Sequence, residues 1–172
     1  MQKHLVIIGA GAAGLPVASQ VRRKNKNIEI TVITSREYFA YSPCGIPFVV
    51  SGMINSFDNL ILRDMKYYSE MNINILNKTT VDRIDIDAQE IYFDNDKIKY
   101  DTLVIASGAK PIIPPIPGID LEGVYYLNSL EDALRISKSL KNAKSPTIIG
   151  AGAIGLEMAH AFLKKGLKSR VI

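Results

Sequence analysis

Val6-Ile7-Ile8-Gly9-Ala10-Gly11-Ala12-Ala13-Gly14 stands near the start of the chain, and Ile148-Ile149-Gly150-Ala151-Gly152-Ala153-Ile154-Gly155 repeats its pattern near the other end. Each is a short apolar run closed by G-x-G-x-x-G. The run Leu5–Ile8 is too short for a helix and is stopped by glycine, which predicts a strand buried on both faces of a parallel sheet. After the glycines, Leu15, Ala18 and Val21 recur at helical spacing and predict a helix from about Ala12 to Lys24. Asn25, Lys26 and Asn27 turn the chain, and Ile28–Ile33 is the next strand. The second copy repeats the order: strand Pro146–Ile149, helix Ala153–Lys165, strand Ser169–Ile172. Strand, glycine turn, helix and parallel strand make a βαβ unit, so the fold class is α/β.

The three glycines of such a turn have different tasks. The first allows the tight turn off the strand, the second lets the backbone approach a diphosphate, and the third lets the helix pack on the sheet. The helix N-terminus then offers unpaired N–H groups and a partial positive charge to an anion. Gly9, Gly11, Ala12, Ala13 and Gly14 are therefore expected to hold one dinucleotide, and Gly150, Gly152, Ala153, Ile154 and Gly155 a second. The motif rule expects an acidic residue about 20 positions further on, to bind ribose hydroxyls. In the first unit that place holds Thr34, Ser35 and Arg36, with Glu37 next. Thr34 offers a neutral hydrogen bond in place of a carboxylate, and Arg36 would even suit a 2′-phosphate. In the second unit the acidic position would fall at or beyond Ile172.

Between the two copies the pattern changes. Tyr38–Gly52 begins irregularly, with two prolines, and becomes apolar enough for a short helix from Gly45. Asp64–Asn72 reads as a helix with an acidic first residue. Ile73–Leu76 is a short strand. Val81–Asp87, Glu90–Asp94 and Lys97–Tyr100 have meander spacing, with Asp and Asn at the turns. Thr102–Ala106 reads as another buried strand. Lys110–Gly118 contains Pro111, Pro114, Pro115 and Pro117 and predicts an extended linker. Ser129 caps a predicted helix over Leu130–Leu140.

With 172 residues the chain has room for one ordinary domain but not for two complete nucleotide-binding domains. Its 21 Lys and Arg against 17 Asp and Glu are scattered, with no basic run and no tryptophan, so no nucleic-acid partner is expected. No apolar stretch approaches the ~18 residues that span a bilayer, and the opening apolar run leads into glycines rather than a cleavage site, so no membrane partner is expected. The single cysteine, Cys44, cannot form an internal disulfide, and a reducing cytoplasm is the expected compartment. It stands between Pro43 and Gly45, where the pattern starts a helix, a setting that favours a thiolate. The alternative is an inert buried thiol. His4 and His160 have no metal-ligand partners in the sequence, so no metal is expected.

Three stretches together resemble the pyridine nucleotide–disulfide oxidoreductase superfamily: Val6–Gly14, Tyr41-Ser-Pro-Cys-Gly-Ile-Pro-Phe-Val-Val-Ser-Gly52, and Asp101-Thr-Leu-Val-Ile-Ala-Ser-Gly-Ala-Lys-Pro111. Pro115–Asp120 and Gly150–Glu157 fit as well. The cysteine segment is most similar to the single-cysteine branch of coenzyme A-disulfide reductases, NADH oxidases and NADH peroxidases. The disulfide-reductase branches carry Cys-x4-Cys, and Val49 stands where the second cysteine would be. The resemblance implies FAD and NADH or NADPH as cofactors and Cys44 as the redox-active residue beside the flavin ring. It implies that Val81, Ala106, Ser107 and Gly108 meet FAD, with Ser107 where threonine is commoner, and that Glu157 lies near the nicotinamide. It places Arg22, Arg23 and Ser42 on the substrate side, and Ala153 where many relatives carry a gating tyrosine. Alternatively, the two arginines are simply cations well placed at a helix C-terminus.

The resemblance implies a Rossmann-like FAD-binding parallel sheet with a β-meander over residues 1–118. A linker helix and the start of a second, incomplete NAD(P)-binding unit follow over 119–172. It implies an enzyme that passes electrons from NAD(P)H through FAD and one cysteine to a small acceptor: a disulfide such as coenzyme A disulfide, a peroxide or oxygen. The chain would be its N-terminal part, and the full-length protein a homodimer. Two other readings stay open: an FAD-binding fragment without turnover, and a ferredoxin- or rubredoxin-type reductase that does not use the cysteine.

Overall fold

A computed structural model describes residues 3–172. In chain order the elements are β1 (His4–Ile8), α1 (Gly14–Lys24), β2 (Glu29–Ile33), a 3-10 turn (Pro43–Gly45), α2 (Ile46–Ser51), a second 3-10 turn (Phe57–Leu60), α3 (Met65–Glu70), β3 (Asn74–Leu76), β4 (Val81–Asp85), β5 (Glu90–Phe93), β6 (Asp96–Lys99), β7 (Thr102–Ile105), α4 (Leu130–Leu140), β8 (Thr147–Ile148), α5 (Ala153–Lys164) and β9 (Arg170–Val171). Contacts group these into two compact units: one runs to Tyr41 and resumes over Leu62–Ala109, the other joins Ser42–Ile61 to Lys110–Ile172.

The first unit is built on a four-stranded parallel sheet in the order β3-β2-β1-β7. β1 lies between β2, where Val6 pairs Thr31, and β7, where Val6 pairs Leu103. Val6, Ile7, Val32 and Ile33 are fully buried, as expected of central parallel strands covered on both faces. One face packs under Leu15 and Ala18 of α1, with Tyr68 of α3 and Ile73 and Ile75 around β3. The other face carries the antiparallel meander β4-β5-β6, whose Ile91 and Phe93 meet Val6 and Ile33. One expectation fails here. β7 is not a buried strand: Leu103 and Val104 are half-buried, and Ile105 is 64% exposed. The reason is position, since β7 is an edge strand that pairs only with β1.

In the second unit α2 packs on α5 and α4. Ile46, Val49 and Val50, together with Met158, Ala161 and Phe162 and with Leu130 and Ala133, supply its buried side chains. β8 and β9 form a two-stranded parallel sheet. Residues 110–116 are exposed and belong to no helix or strand, with the Ile116 N–H donating to the Pro114 carbonyl at 2.8 Å and a turn starting at Pro117. No helix among the described residues is long and apolar enough to cross a membrane.

Candidate functional site

The first glycine turn lies at the carboxyl ends of β1, β2 and β7. From β1 the chain crosses to β2 on one side and returns later as β7 on the other, so the order reverses at β1. Open parallel α/β sheets bind ligands at that reversal, outside the carboxyl ends of the strands. Gly9 has φ +110°, and its N–H donates to the Ile33 carbonyl at 2.7 Å. A Cβ on Gly9 would collide with the carbonyl of Ala106, whose own N–H donates to Ile8 at 2.7 Å. A Cβ on Gly14 would collide with the Gly9 carbonyl, so this glycine lets α1 sit close on the strand. Gly11 is different, because a Cβ there would point into open space. The fold therefore needs the first and third glycines for its own packing, and the second keeps a place clear.

The helices differ in capping, and the short α2, like the helices after the glycine turns, has neither a side-chain cap nor a first-turn acidic residue. α3 and α4 have side-chain caps: Asp64 accepts from the Tyr67 N–H at 2.9 Å, and Ser129 from the Asp132 N–H at 3.1 Å. α4 also carries Glu131 and Asp132 in its first turn. α1 and α5, the two helices that follow glycine turns, have neither a capping side chain nor an acidic residue in the first turn. A missing cap costs about 1 kcal/mol, and an anion at the N-terminus offsets that cost. Gly11, Ala12 and Ala13 are exposed. The turn thus suits a dinucleotide diphosphate on three counts: an uncapped N-terminus, no competing carboxylate, and a glycine with open space beside it.

At the end of β2, Thr34 is buried and its hydroxyl accepts from the Arg36 N–H at 3.3 Å, which shapes the bend that exposes Ser35 and Arg36. Glu37, the nearest carboxylate, pairs with Lys78 at 2.9 Å. Backbone bonds from Thr79 N–H to Thr34 and from Lys78 N–H to Arg36 tie the loop before β4 to this bend. The structure so brings the 34–36 segment beside residues 78–79, which carried no signal in the sequence beyond polarity. Val81 begins β4 and packs, half-buried, on the cluster of Val6 and Ile33. Ser107 and Gly108 are exposed after β7.

Arg22 requires a correction. It is 5% exposed, and its guanidinium donates to the carbonyls of Asn25 (3.3 Å), Lys26 (2.9 Å) and Asn72 (2.7 Å). It closes the C-terminus of α1 and is not available to a substrate phosphate. Arg23 is exposed.

In the second unit, Cys44 is exposed at the centre of the Pro43–Gly45 turn. Ser42 begins that turn: its N–H donates to the Leu60 carbonyl at 2.9 Å, and its carbonyl accepts from the Gly45 N–H at 3.1 Å. A Cβ on Gly45 would collide with the buried Leu60 side chain. The turn is therefore pinned against the second 3-10 turn, with the cysteine outward, and the inert buried thiol is not what the structure shows. The second glycine turn copies the first. Gly150 has φ +109° and its N–H donates to Ile172 at 2.7 Å, while a Cβ on Gly155 would collide with the Gly150 carbonyl. Gly152, Ala153, Ile154 and Glu157 are exposed at the start of α5. No group of His, Cys, Asp and Glu able to hold a metal occurs among the described residues.

The family model described as "Pyridine nucleotide-disulphide oxidoreductase" matches residues 3–172. An NADH oxidase of Methanocaldococcus jannaschii is 46% identical over 97% of this chain and 39% of its own length. An NAD(P)H coenzyme A polysulfide/persulfide reductase of Pyrococcus horikoshii is 34% identical over 96% of this chain and 38% of its own. The solved structure of an NAD-dependent persulfide reductase from A. fulgidus superposes with a TM-score of 0.93 at 39% identity, covering 98% of this chain and 33% of that one. The chain thus spans well under half the length of these relatives.

Proposed function

Since the chain belongs to the pyridine nucleotide-disulphide oxidoreductase family, we propose that it is the N-terminal part of a flavoprotein that uses NAD(P)H to reduce a small sulfur or oxygen acceptor through Cys44. Residues 1–118 are the first segment of the FAD-binding domain, and 119–172 open the NAD(P)-binding domain. Gly9, Gly11, Ala12, Ala13 and Gly14 would hold the FAD diphosphate, and Ser35 and Arg36 its ribose, with Thr34 shaping their bend. Val81, Ala106, Ser107 and Gly108 would line the same cofactor. Gly150, Gly152, Ala153, Ile154, Gly155 and Glu157 would meet the nicotinamide nucleotide. When bound, FAD supplies hydride acceptance and two-electron delivery.

The observation that carries the reading is the exposed, solitary thiol of Cys44 on a turn pinned by Ser42, Gly45 and Leu60. A thiolate there attacks one sulfur of a disulfide, forms a mixed disulfide and releases the other half as a thiolate that takes up a proton. Two electrons and a proton then return the mixed disulfide to the Cys44 thiolate and a second free thiol. With a peroxide, the thiolate attacks one oxygen to become a sulfenic acid, and the O–O bond breaks to release hydroxide or alkoxide, which takes up a proton to give water or an alcohol. Two electrons and two protons restore the thiol with loss of water. With no second cysteine among these 172 residues, the partner sulfur in this reading comes from the substrate. Coenzyme A disulfide is the first candidate. The names of the relatives, which include a coenzyme A polysulfide/persulfide reductase and an NADH oxidase, support this range of acceptors. The compartment that keeps such a thiol reduced is the cytoplasm.

The test is Cys44→Ser in the full-length protein. Disulfide reduction should fall by about 10³-fold or more, the loss typical of removing a nucleophile. Reduction of the bound flavin by NAD(P)H should persist. Undiminished disulfide reduction would overturn the reading and favour an FAD-dependent reductase that bypasses the cysteine.

A further inference from the structure

The cysteine turn leads into α2, and α2 lies against the helix that begins at the second glycine turn. α2 has only six residues, without a side-chain cap or an acidic residue in its first turn. A helix that short does not hold itself in water and depends on what it packs against. Its packing lies within the second unit: Ile46, Val49 and Val50 are buried on α2, which meets α5 and α4, and Met158, Ala161 and Phe162 are buried on α5. Both ends of α2 have neighbours too. At the start, Gly45 lies against Leu60. At the finish, Gly52 closes α2 in the left-handed region with φ +86°. The ammonium of Lys165, the residue that ends α5, would stand 3.4 Å from a Cβ at Gly52. A cation there suits the carbonyls at a helix C-terminus. The seat is not filled throughout. A cavity of about 440 Å³, lined by Val49, Gly52, Leu134 and Lys165 among others, opens at this end of α2 and leaves it room to shift.

We propose that a nucleotide at the second glycine turn steadies the cysteine turn through α5, with Lys165 as the positioning residue at the far end. The proposal rests on the reading of residues 150–155 as a nucleotide site. α5 is a single helix of twelve residues, about 18 Å long. Its first end is uncapped, and its last end meets the end of α2. A diphosphate at the first end supplies what a capping side chain would. That contribution converts to about fivefold in the balance between an ordered and a frayed helix. α2 is seated only while α5 is ordered beneath it, so part of that factor passes to α2 and to the turn it carries. Lys165 carries the link because it joins the C-terminal ends of the two helices beside the cavity.

The test is hydrogen exchange on the full-length protein with its flavin oxidised, with and without saturating NAD+ or NADP+, which deliver no electrons. Amides of residues 150–155 report occupancy of the glycine turn, and those of residues 46–52 report α2. Slower exchange is expected in both stretches, by about two- to fivefold across residues 46–52. Lys165→Met should keep the protection at residues 150–155 and lose most of the slowing at residues 46–52, and Lys165→Arg should restore it. Lys164→Met, exposed and one residue earlier, should behave as the parent. In turnover, Lys165→Met should lower kcat for disulfide reduction by about the same factor, with KM unchanged. Protection at residues 150–155 with α2 unaltered, or equal slowing in the parent and Lys165→Met, would overturn this proposal alone. No protection at residues 150–155 by either nucleotide would overturn the nucleotide reading of that turn together with it.

Discussion

Gly11 and Gly14 stand close together in one motif, yet the structure assigns them opposite kinds of importance. A Cβ at position 14 collides with the Gly9 carbonyl, which cannot move without opening the β1–α1 turn. Gly14→Ala is therefore expected to destabilise the fold by about 1–3 kcal/mol, the cost of overpacking a tight contact, as read by urea unfolding. Gly11→Ala meets no protein atom, so stability should change by less than about 0.5 kcal/mol. Flavin retention in the full-length protein should nevertheless fall at least tenfold, measured by equilibrium dialysis. Equal flavin retention in Gly11→Ala and the parent would show that the open space beside Gly11 is not the cofactor's. At this scale the sequence was readable wherever a residue acts on its neighbours: the glycine spacing, the Ser129 cap and the break at Pro111–Pro117 all hold. It misled at Arg22, because Asn72, far away in sequence, presents the carbonyl that draws the guanidinium inward.

The elements show a similar division. Strands and helices with strong periodicity appear close to where the pattern puts them, and the Leu130–Leu140 helix has the predicted bounds. The 3-10 turn over Phe57–Leu60 has no periodicity to read, yet it supports the cysteine turn. β7 looked like a central strand because local composition reports apolarity, and edge position is decided by pairing across the sheet. The meander gives a pH prediction. The Glu90 carboxylate accepts from the Tyr92 hydroxyl at 2.7 Å and from the Lys97 ammonium at 3.0 Å. These contacts, the Tyr92 bond foremost, hold its pKa below the ordinary 4.5, and Lys97 is raised in return. A carboxyl depressed in the folded state stabilises above its unfolded pKa, and that contribution is lost as pH falls through the folded value. Stability should therefore decline below about pH 4.5, the ordinary value. Glu90→Gln should flatten that decline in urea midpoints taken at successive pH. An unchanged acid limb would remove Glu90 from the account.

For the whole molecule, the sequence announced two glycine turns and one cysteine, and the structure shows what each turn lacks or keeps. α1 and α5 begin without the caps that α3 and α4 have, and both turns leave their second glycine open. The proposed role of the uncapped start of α1 is to hold the diphosphate of a flavin dinucleotide. A crystal structure of the full-length protein with its flavin tests this directly. Diphosphate oxygens are expected about 3 Å from the backbone nitrogens of Ala12 and Ala13, with no side chain between. A diphosphate bound elsewhere, with the start of α1 open to solvent, would contradict it.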